Sequence, residues 1–451
     1  MHVMLDVSRL LVCGRKQTPS GIDRVELAYA RHWLAAGPHA CSFAAQDLRG
    51  GFAILPRALV AELVAELCTA WDGGADRDAA AQRANRLGLQ ARGRLLLGFG
   101  RRELARLTTS ARRLVFLLVS HRALERQGPI EVIRRNGAAF VPLIHDVIPV
   151  THPEYARPGQ ADTHRRRMTT TGALSDGIIA NSEATAEALA PYLAHRGKRP
   201  PIVVAPLGIE KVPFSPRPMP SYRGPGAGFA HPSFVTLGTI EPRKNHLLLL
   251  HLWRDLTASM GSDAPRLTIV GKRGWENENV VDILDRCTAL NGVVQEAGQL
   301  PDQQVAGLMR NSRALLFPSF AEGYGLPLAE ALALGVPAIC SDLPALREVG
   351  GDVPDYLDPL DGAAWREAVL DYSQPDSPRR AAQLARMARW SAPSWEEHFN
   401  RVETLLDQVV GTMPVPPAHI ARGTQGNRVA SRPATATARP GLVAVRDEVV
   451  S

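Results

Sequence analysis

Two carboxylates and two cations stand out by type and spacing. Glu322 and Glu330 bracket the run Gly323-Tyr324-Gly325-Leu326-Pro327, which follows an apolar stretch ending at Phe317. A buried strand ends at Phe317, Gly323 and Gly325 let the backbone turn tightly and approach a ligand, and Pro327 sits where a helix begins. The free N–H groups of that first turn face the strand end, where an anion can sit. A carboxylate beside an anion is repelled unless it holds hydroxyls. Glu322 in the loop and Glu330 one turn into the helix therefore point to sugar or ribose hydroxyls. A capped core helix with two incidental glutamates is the plainer alternative. Arg243 and Lys244, in Gly238-Thr239-Ile240-Glu241-Pro242-Arg243-Lys244-Asn245, follow a second apolar strand and open a helix. Cations at a helix start oppose the macrodipole, and a diphosphate would account for them.

The elements that must position these groups show in the apolar periodicity. The pattern predicts a strand over 3–7, a loop holding Gly14, Pro19, Ser20 and Gly21, and a helix over 22–34. Further strands are predicted over 140–144, 177–180 and 202–205. Residues 212–232 are rich in proline and glycine and read as a linker. Within them, Gly224-Pro225-Gly226-Ala227-Gly228 follows no strand, so it is not a dinucleotide loop, and a nicotinamide oxidoreductase loses its support. Beyond the linker, strands at 234–237, 267–270, near 293, at 314–317 and at 338–341 alternate with helices at 245–260, 279–290, 302–311, 326–334 and 343–349. Such alternation predicts an α/β architecture with a parallel sheet covered on both faces. Residues 412–451 lack periodicity and read as a disordered tail.

A chain of 451 residues suits two domains of roughly 200 residues each. The five cysteines are odd in number and lack CxxC spacing, which argues for reduced thiols rather than a disulfide or zinc framework. The first residues carry no signal pattern and no apolar run approaches the ~18 residues of a membrane span. A cytoplasmic protein is expected, without an integral membrane segment. The net charge is +7, and 92–135 alone holds eleven Arg against three Glu. A basic helical surface there would suit anionic lipid or nucleic acid, or simply be a solvated face. No zinc-finger, helix-turn-helix or RRM signature supports nucleic acid. His121 after the apolar run 114–119, and the cluster His164 to Arg167, are weaker candidates for the cleft and for a phosphate or lipid.

Glu322 and Glu330, with seven residues between them, resemble the E-x7-E motif of the retaining GT-B glycosyltransferases of family four, and Gly238 to Asn245 resembles that family's diphosphate motif. The likeness runs from about residue 3 to 411. His145-Asp146-Val147-Ile148-Pro149 and Pro153-Glu154-Tyr155 are similar to a bacterial subgroup that includes O-antigen mannosyltransferases. Asp6 to Arg24 resembles its N-terminal donor loop, with Gly21 where a glycine approaches the phosphates and Ser20 where a second glycine is common. The resemblance implies two Rossmann-like domains facing across a cleft: 1–211 on the acceptor side, 233–394 binding the nucleotide-sugar, and a helix over 395–411, opened by Trp395, crossing back. It implies that Arg243 and Lys244 hold the diphosphate, Glu322 the transferred sugar and Glu330 the ribose. Gly323, Tyr324, Gly325 and Leu326 would offer backbone donors, and His145 would contact the sugar. Residues 271–275 and 298–300 would lie near the base. The expected donor is a nucleotide-sugar, GDP-mannose favoured, and the acceptor a saccharide or lipid-linked saccharide, with peripheral contact at the inner membrane. No metal or cofactor is expected. A front-face step and a covalent intermediate both stay open. A catalytically silent sugar-binding or scaffolding relative is the alternative.

Overall fold

Strands in this chain are short apolar runs, and helices cover both faces of the sheets they form. The computed structural model describes residues 1–47, 50–74, 76–111, 113–193, 199–210 and 231–412. In the N-terminal half, β1 (His2–Asp6), β2 (Cys41–Gln46), β3 (Phe52–Leu55), β4 (Leu114–Leu118), β5 (Ala138–Ile144), β6 (Ile178–Ala180) and β7 (Ile202–Val204) form one sheet in the order β3-β2-β1-β4-β5-β6-β7. All neighbours are parallel except β3, which runs antiparallel to β2. The sequences Leu-Val-Phe-Leu-Leu of β4 and Ala-Ala-Phe-Val-Pro-Leu-Ile of β5 are buried throughout, as a doubly covered parallel sheet demands.

The C-terminal half repeats the plan. Here β8 (Ser233–Leu237), β9 (Arg266–Val270), β10 (Val294–Gly298), β11 (Ala314–Phe317), β12 (Ala338–Ser341) and β13 (Asp355–Leu357) are ordered β10-β9-β8-β11-β12-β13, all parallel. In each sheet the winding reverses once, between β1 and β4 and between β8 and β11. The crevice beyond the carboxyl ends of the strands at such a reversal is where open α/β sheets bind ligands. The loops after β1, β5, β8 and β11 carry Gly21, His145, Lys244 and Glu322, so the topology alone brings these residues to the crevices.

The described residues belong to one compact unit, and a single apolar cluster runs from Val3 and Leu5 through Phe317 and Leu328 to Phe399 and Val409. Helix Trp395–Gly411 returns to the N-terminal half: His398 bonds the Tyr29 hydroxyl at 2.8 Å and the Ala205 carbonyl at 3.1 Å, and Trp395 stacks on Phe399. Thr412 ends that helix, and the rest of the tail reading lies outside the described residues, as does the linker reading except for residues 231 and 232. All five cysteines are free. The basic stretch is not one helical surface. It is cut by the buried strand β4, with helices Arg101–Ser110 before it and Gln127–Arg135 after it. The cluster at 164–167 is likewise divided: His164 is buried against the Asp146 carbonyl, Arg165 pairs with Asp162 and Arg167 with Glu125.

Candidate active site

The charged part of the site comes from two loops of the C-terminal sheet. After β8 the chain forms a short turn, Pro242–Lys244, closed by Asn245 at φ 53° before helix His246–Met260 begins. After β11 it reaches helix Leu326–Ala333 through Gly325 at φ 105°, where an added Cβ would lie 2.4 Å from Leu346 Cδ2, so glycine is required there. Glu322 lies between these loops. It accepts from Lys244 Nζ at 2.6 Å and pairs with Arg243 Nη1 at 2.9 Å. Arg243 also pairs with Glu241 at 2.7 Å and donates to the Ala321 carbonyl at 2.7 Å. Burial by itself would raise the Glu322 carboxyl, but Arg243 and Lys244 outweigh it and hold the group down to about 2. The four charges cancel. Lys244 donates to Glu322 and lies over the Phe317 ring, and its ammonium makes no other hydrogen bond among the described residues.

Backbone donors complete this side. Among the described residues, the N–H groups of Gly323, Tyr324, Gly325 and Leu326 have no hydrogen-bond partner. Opposite them begins helix Gly21–Ala35. Its N-cap is Ser20, which accepts from Asp23 N at 3.3 Å while Asp23 accepts from Ser20 N at 2.7 Å. Serine in place of a second glycine therefore has a structural role, that of a capping box. A Cβ on Gly21 would stand 3.1 Å from Leu326 Cδ1, so the two helix starts approach across the cleft. The carboxylate of Glu330, half-buried one turn in, has no hydrogen-bond partner among the described residues. Burial raises its carboxyl and nearby Arg24 opposes that.

The N-terminal half contributes through a buried scaffold. Asp23 gathers the loop before it: Arg9 Nε at 2.5 Å, Lys16 Nζ at 2.7 Å and the Ser20 hydroxyl at 2.8 Å. His145 follows β5. Its Nε2 bonds the Val119 carbonyl at 2.8 Å, and its own N–H donates to His121 Nε2 at 3.1 Å. A ring that donates through Nε2 presents Nδ1 as an acceptor, and burial pushes its pKa down to about 4, so the ring is neutral. His121 is a core support for His145 rather than a group in the cleft.

The halves touch closely. The Gly323 carbonyl accepts from Ser182 Oγ at 2.7 Å and Thr185 Oγ1 at 3.1 Å, and a Cβ on Gly323 would fall 2.2 Å from the His145 carbonyl oxygen. Tyr324 donates its hydroxyl to the Leu207 carbonyl at 2.8 Å, a further bond from one half to the other. Arg24 and Asp302 form a bidentate pair at 2.6 and 2.5 Å, and Glu348 caps helix Glu183–Leu189 by accepting from Glu183 N and Ala184 N at 2.6 and 2.8 Å. Reading the sequence missed Asp23, Arg24, Ser182, Thr185, Asp302 and Glu348. Only the Ser20-x-x-Asp23 and Ser182-x-x-Thr185 spacings hint at them. The others are paired across more than 160 positions. The cleft between the halves holds about 1610 Å³ and is lined by Gly21, His145, Lys244, Glu322 and Glu330, with Trp275 and Gln299 from the segments expected near the base. That combination suits an anion held by helix starts and cations, with hydroxyl groups held by carboxylates and a neutral imidazole.

Residues 230–353 match the family described as glycosyl transferases group 1. O-antigen chain mannosyltransferase B of Escherichia coli is 37% identical over 160 residues, 36% of this chain and 42% of that protein. Serotype-specific mannosyltransferase WbdA of Escherichia coli is 31% identical over 279 residues, 58% of this chain and 34% of that protein. The chain thus spans less than half the length of these two relatives. Among solved structures, HepE of Anabaena in complex with UDP superposes with a TM-score of 0.56 at 15% identity, covering 90% of this chain and 100% of that one, a likeness of fold. With its two facing parallel sheets the chain has the GT-B fold, and it is similar to group 1 glycosyl transferases over residues 230–353 and to bacterial O-antigen mannosyltransferases.

Proposed function

We propose that this chain is a retaining hexosyltransferase. It moves a hexose, mannose favoured, from a nucleotide-sugar, GDP-mannose favoured, to a saccharide or lipid-linked saccharide in cell-surface polysaccharide assembly. One observation carries the reading: two helix starts, Lys244, Arg243, Glu322 and Glu330 converge on one cleft. A departing nucleoside diphosphate builds negative charge on phosphate oxygens. Fixed cations and unpaired N–H groups are suited to stabilise it as it forms. Glu322 is held ionised beside those cations, placed to orient the sugar's hydroxyls near the reacting carbon. His145 Nδ1 is a neutral acceptor for another sugar hydroxyl, and Glu330 is free for a ribose. The names of the Escherichia coli relatives support mannose.

A panel of nucleoside diphosphates in a thermal-shift assay tests the donor site, because a ligand that binds only the folded state raises its melting temperature. GDP should raise it most. Transfer from GDP-mannose should persist in EDTA, since the chain's own cations and N–H groups face the diphosphate, and proton NMR of the product should show the donor's anomeric configuration retained. A panel in which no nucleoside diphosphate shifts the melting temperature would sink the reading. Inversion at the anomeric carbon would overturn retention alone.

A further inference from the structure

Four of the nine strongly exposed large apolar side chains among the described residues lie within eleven positions: Leu89, Leu96, Leu97 and Phe99, at 46%, 64%, 75% and 52% exposure. Leu89 and Leu96 are seven apart on helix Arg77–Leu96, so they share a face, with Arg92 between them on the same face. Leu97 and Phe99 continue that stripe into the turn before helix Arg101–Ser110. Scattered apolar side chains need no explanation, but a contiguous exposed patch marks an interaction surface. Its charge is one-sided. Arg86, Arg92, Arg94, Arg102 and Arg106 make no ion pair among the described residues, Arg94 lies over the Phe99 ring at 5.2 Å, and the only carboxylate between positions 86 and 110 is Glu103. None of these residues lines the cleft.

We infer that this helix–turn–helix tip docks on an anionic lipid bilayer, with Leu96, Leu97 and Phe99 entering the headgroup region and the flanking guanidinium groups meeting lipid phosphates. Arginine stems cover apolar surface while their heads reach anions, and apolar groups beside basic ones are what an interfacial segment requires. A second copy of the chain is a poorer occupant, because a self-complementary contact would bring five unpaired arginines against another five. Nucleic acid is a poorer occupant too, because bases stack on aromatic rings and three of these four exposed groups are leucines. Among the described residues no helix is long and apolar enough to cross a membrane, and the tip would bind reversibly at the surface.

Flotation of the full chain with vesicles tests this. Vesicles mixing phosphatidylcholine with phosphatidylglycerol should bind roughly tenfold or more of the protein bound by phosphatidylcholine alone, with release as salt rises. The triple variant Leu96→Ser, Leu97→Ser, Phe99→Ser and the double variant Arg92→Glu, Arg102→Glu should each bind roughly tenfold less, while melting temperatures and turnover on a water-soluble acceptor stay at the wild-type values, since these side chains are exposed and remote from the cleft. Equal binding to both vesicle types, no binding, or variants that bind as the wild type does would overturn the inference. So would a dimer in solution that the triple variant disperses.

Discussion

The two halves share one plan of parallel strands and open their crevices toward each other, yet they build their sides of the site by different means. The C-terminal side is made of charges: Arg243, Lys244, Glu241 and Glu322 form a neutral cluster from two adjacent loops, with closest contacts at 2.6 to 2.9 Å. The N-terminal side is made of geometry. Asp23 ties down the loop that starts helix Gly21–Ala35, and His121 and Val119 fix the His145 ring. On the proposed function, one side would answer charge as it develops and the other would place a sugar and limit its freedom. A charged cluster acts on the transition state. A positioning scaffold acts mainly on how the donor is held.

The largest effect should come from the charged side. Arg243→Ala or Lys244→Ala should lower turnover by roughly two orders of magnitude, the usual scale for removing one charge-stabilising donor. Wild-type turnover in either variant would remove these cations from the chemistry and erase the contrast between the halves. The next effect belongs to the seam. Gly323→Ala places a methyl group 2.2 Å from the His145 carbonyl oxygen, so the halves must separate locally. A misfit of about 1 Å at the seam is enough to lower turnover by roughly ten- to a hundredfold. Full activity in that variant would mean that the close approach is not needed for transfer.

The same contrast explains how much could be read from sequence. In the C-terminal half, a strand–loop–helix unit carries each functional group within a few residues of its strand. The predicted strands at 314–317 and 338–341 coincide with β11 and β12, and Glu322, Glu330, Arg243 and Lys244 all come together. The predicted helix over 279–290 ends early, at Arg286, and a separate short turn follows over Thr288–Leu290. In the N-terminal half the helices Arg57–Asp72 and Arg77–Leu96 intervene between β3 and β4, and neither shows in a reading guided by strands and motifs. The partners that matter there are long-range: Arg24 with Asp302, Ser182 with Gly323, Glu183 with Glu348. Local periodicity carries no record of such pairs, because each residue alone is ordinary for its place in a helix or loop. The basic stretch misled for a related reason. Its charge is continuous in sequence, while the buried strand β4 divides it in space.

Asp23 gives a smaller and more discriminating test of the scaffold. Burial would raise its carboxyl, but Arg9 and Lys16 hold it down to about 2, so it is ionised and central to the loop. Asp23→Asn keeps the shape and removes the charge that gathers Arg9 and Lys16. The KM for donor should rise about tenfold with kcat changed less, the pattern of weakened ground-state binding. A fall in kcat matching that of Lys244→Ala would assign Asp23 to the chemistry and not to positioning.

The smallest effect concerns acid. Burial lowers the His145 pKa from 6.5 to about 4, with the Val119 hydrogen bond opposing. The folded state therefore binds this proton less readily than the unfolded chain. The stability tied to the neutral ring is complete above 6.5 and is lost as pH falls toward 4, below which no more is lost. The amount is on the order of 3 kcal/mol, from the usual 1.4 kcal/mol for each unit of pKa. Glu322 behaves in a lower window: its carboxyl falls from 4.5 to about 2, so its contribution is present above 4.5 and disappears as pH falls toward 2. Mild acid should thus draw on the imidazole side of the cleft before the carboxylate side. His398, also lowered to about 4 by burial, adds to the slope where the last helix packs back. His145→Asn should flatten the fall of melting temperature between neutral pH and about pH 4 without abolishing it, since His398 remains, while Glu322→Gln should leave that slope intact and change only the more acidic part of the curve. Curves for His145→Asn and wild type that run parallel across the first window would show that this ring takes up its proton in the folded chain as easily as in the unfolded one.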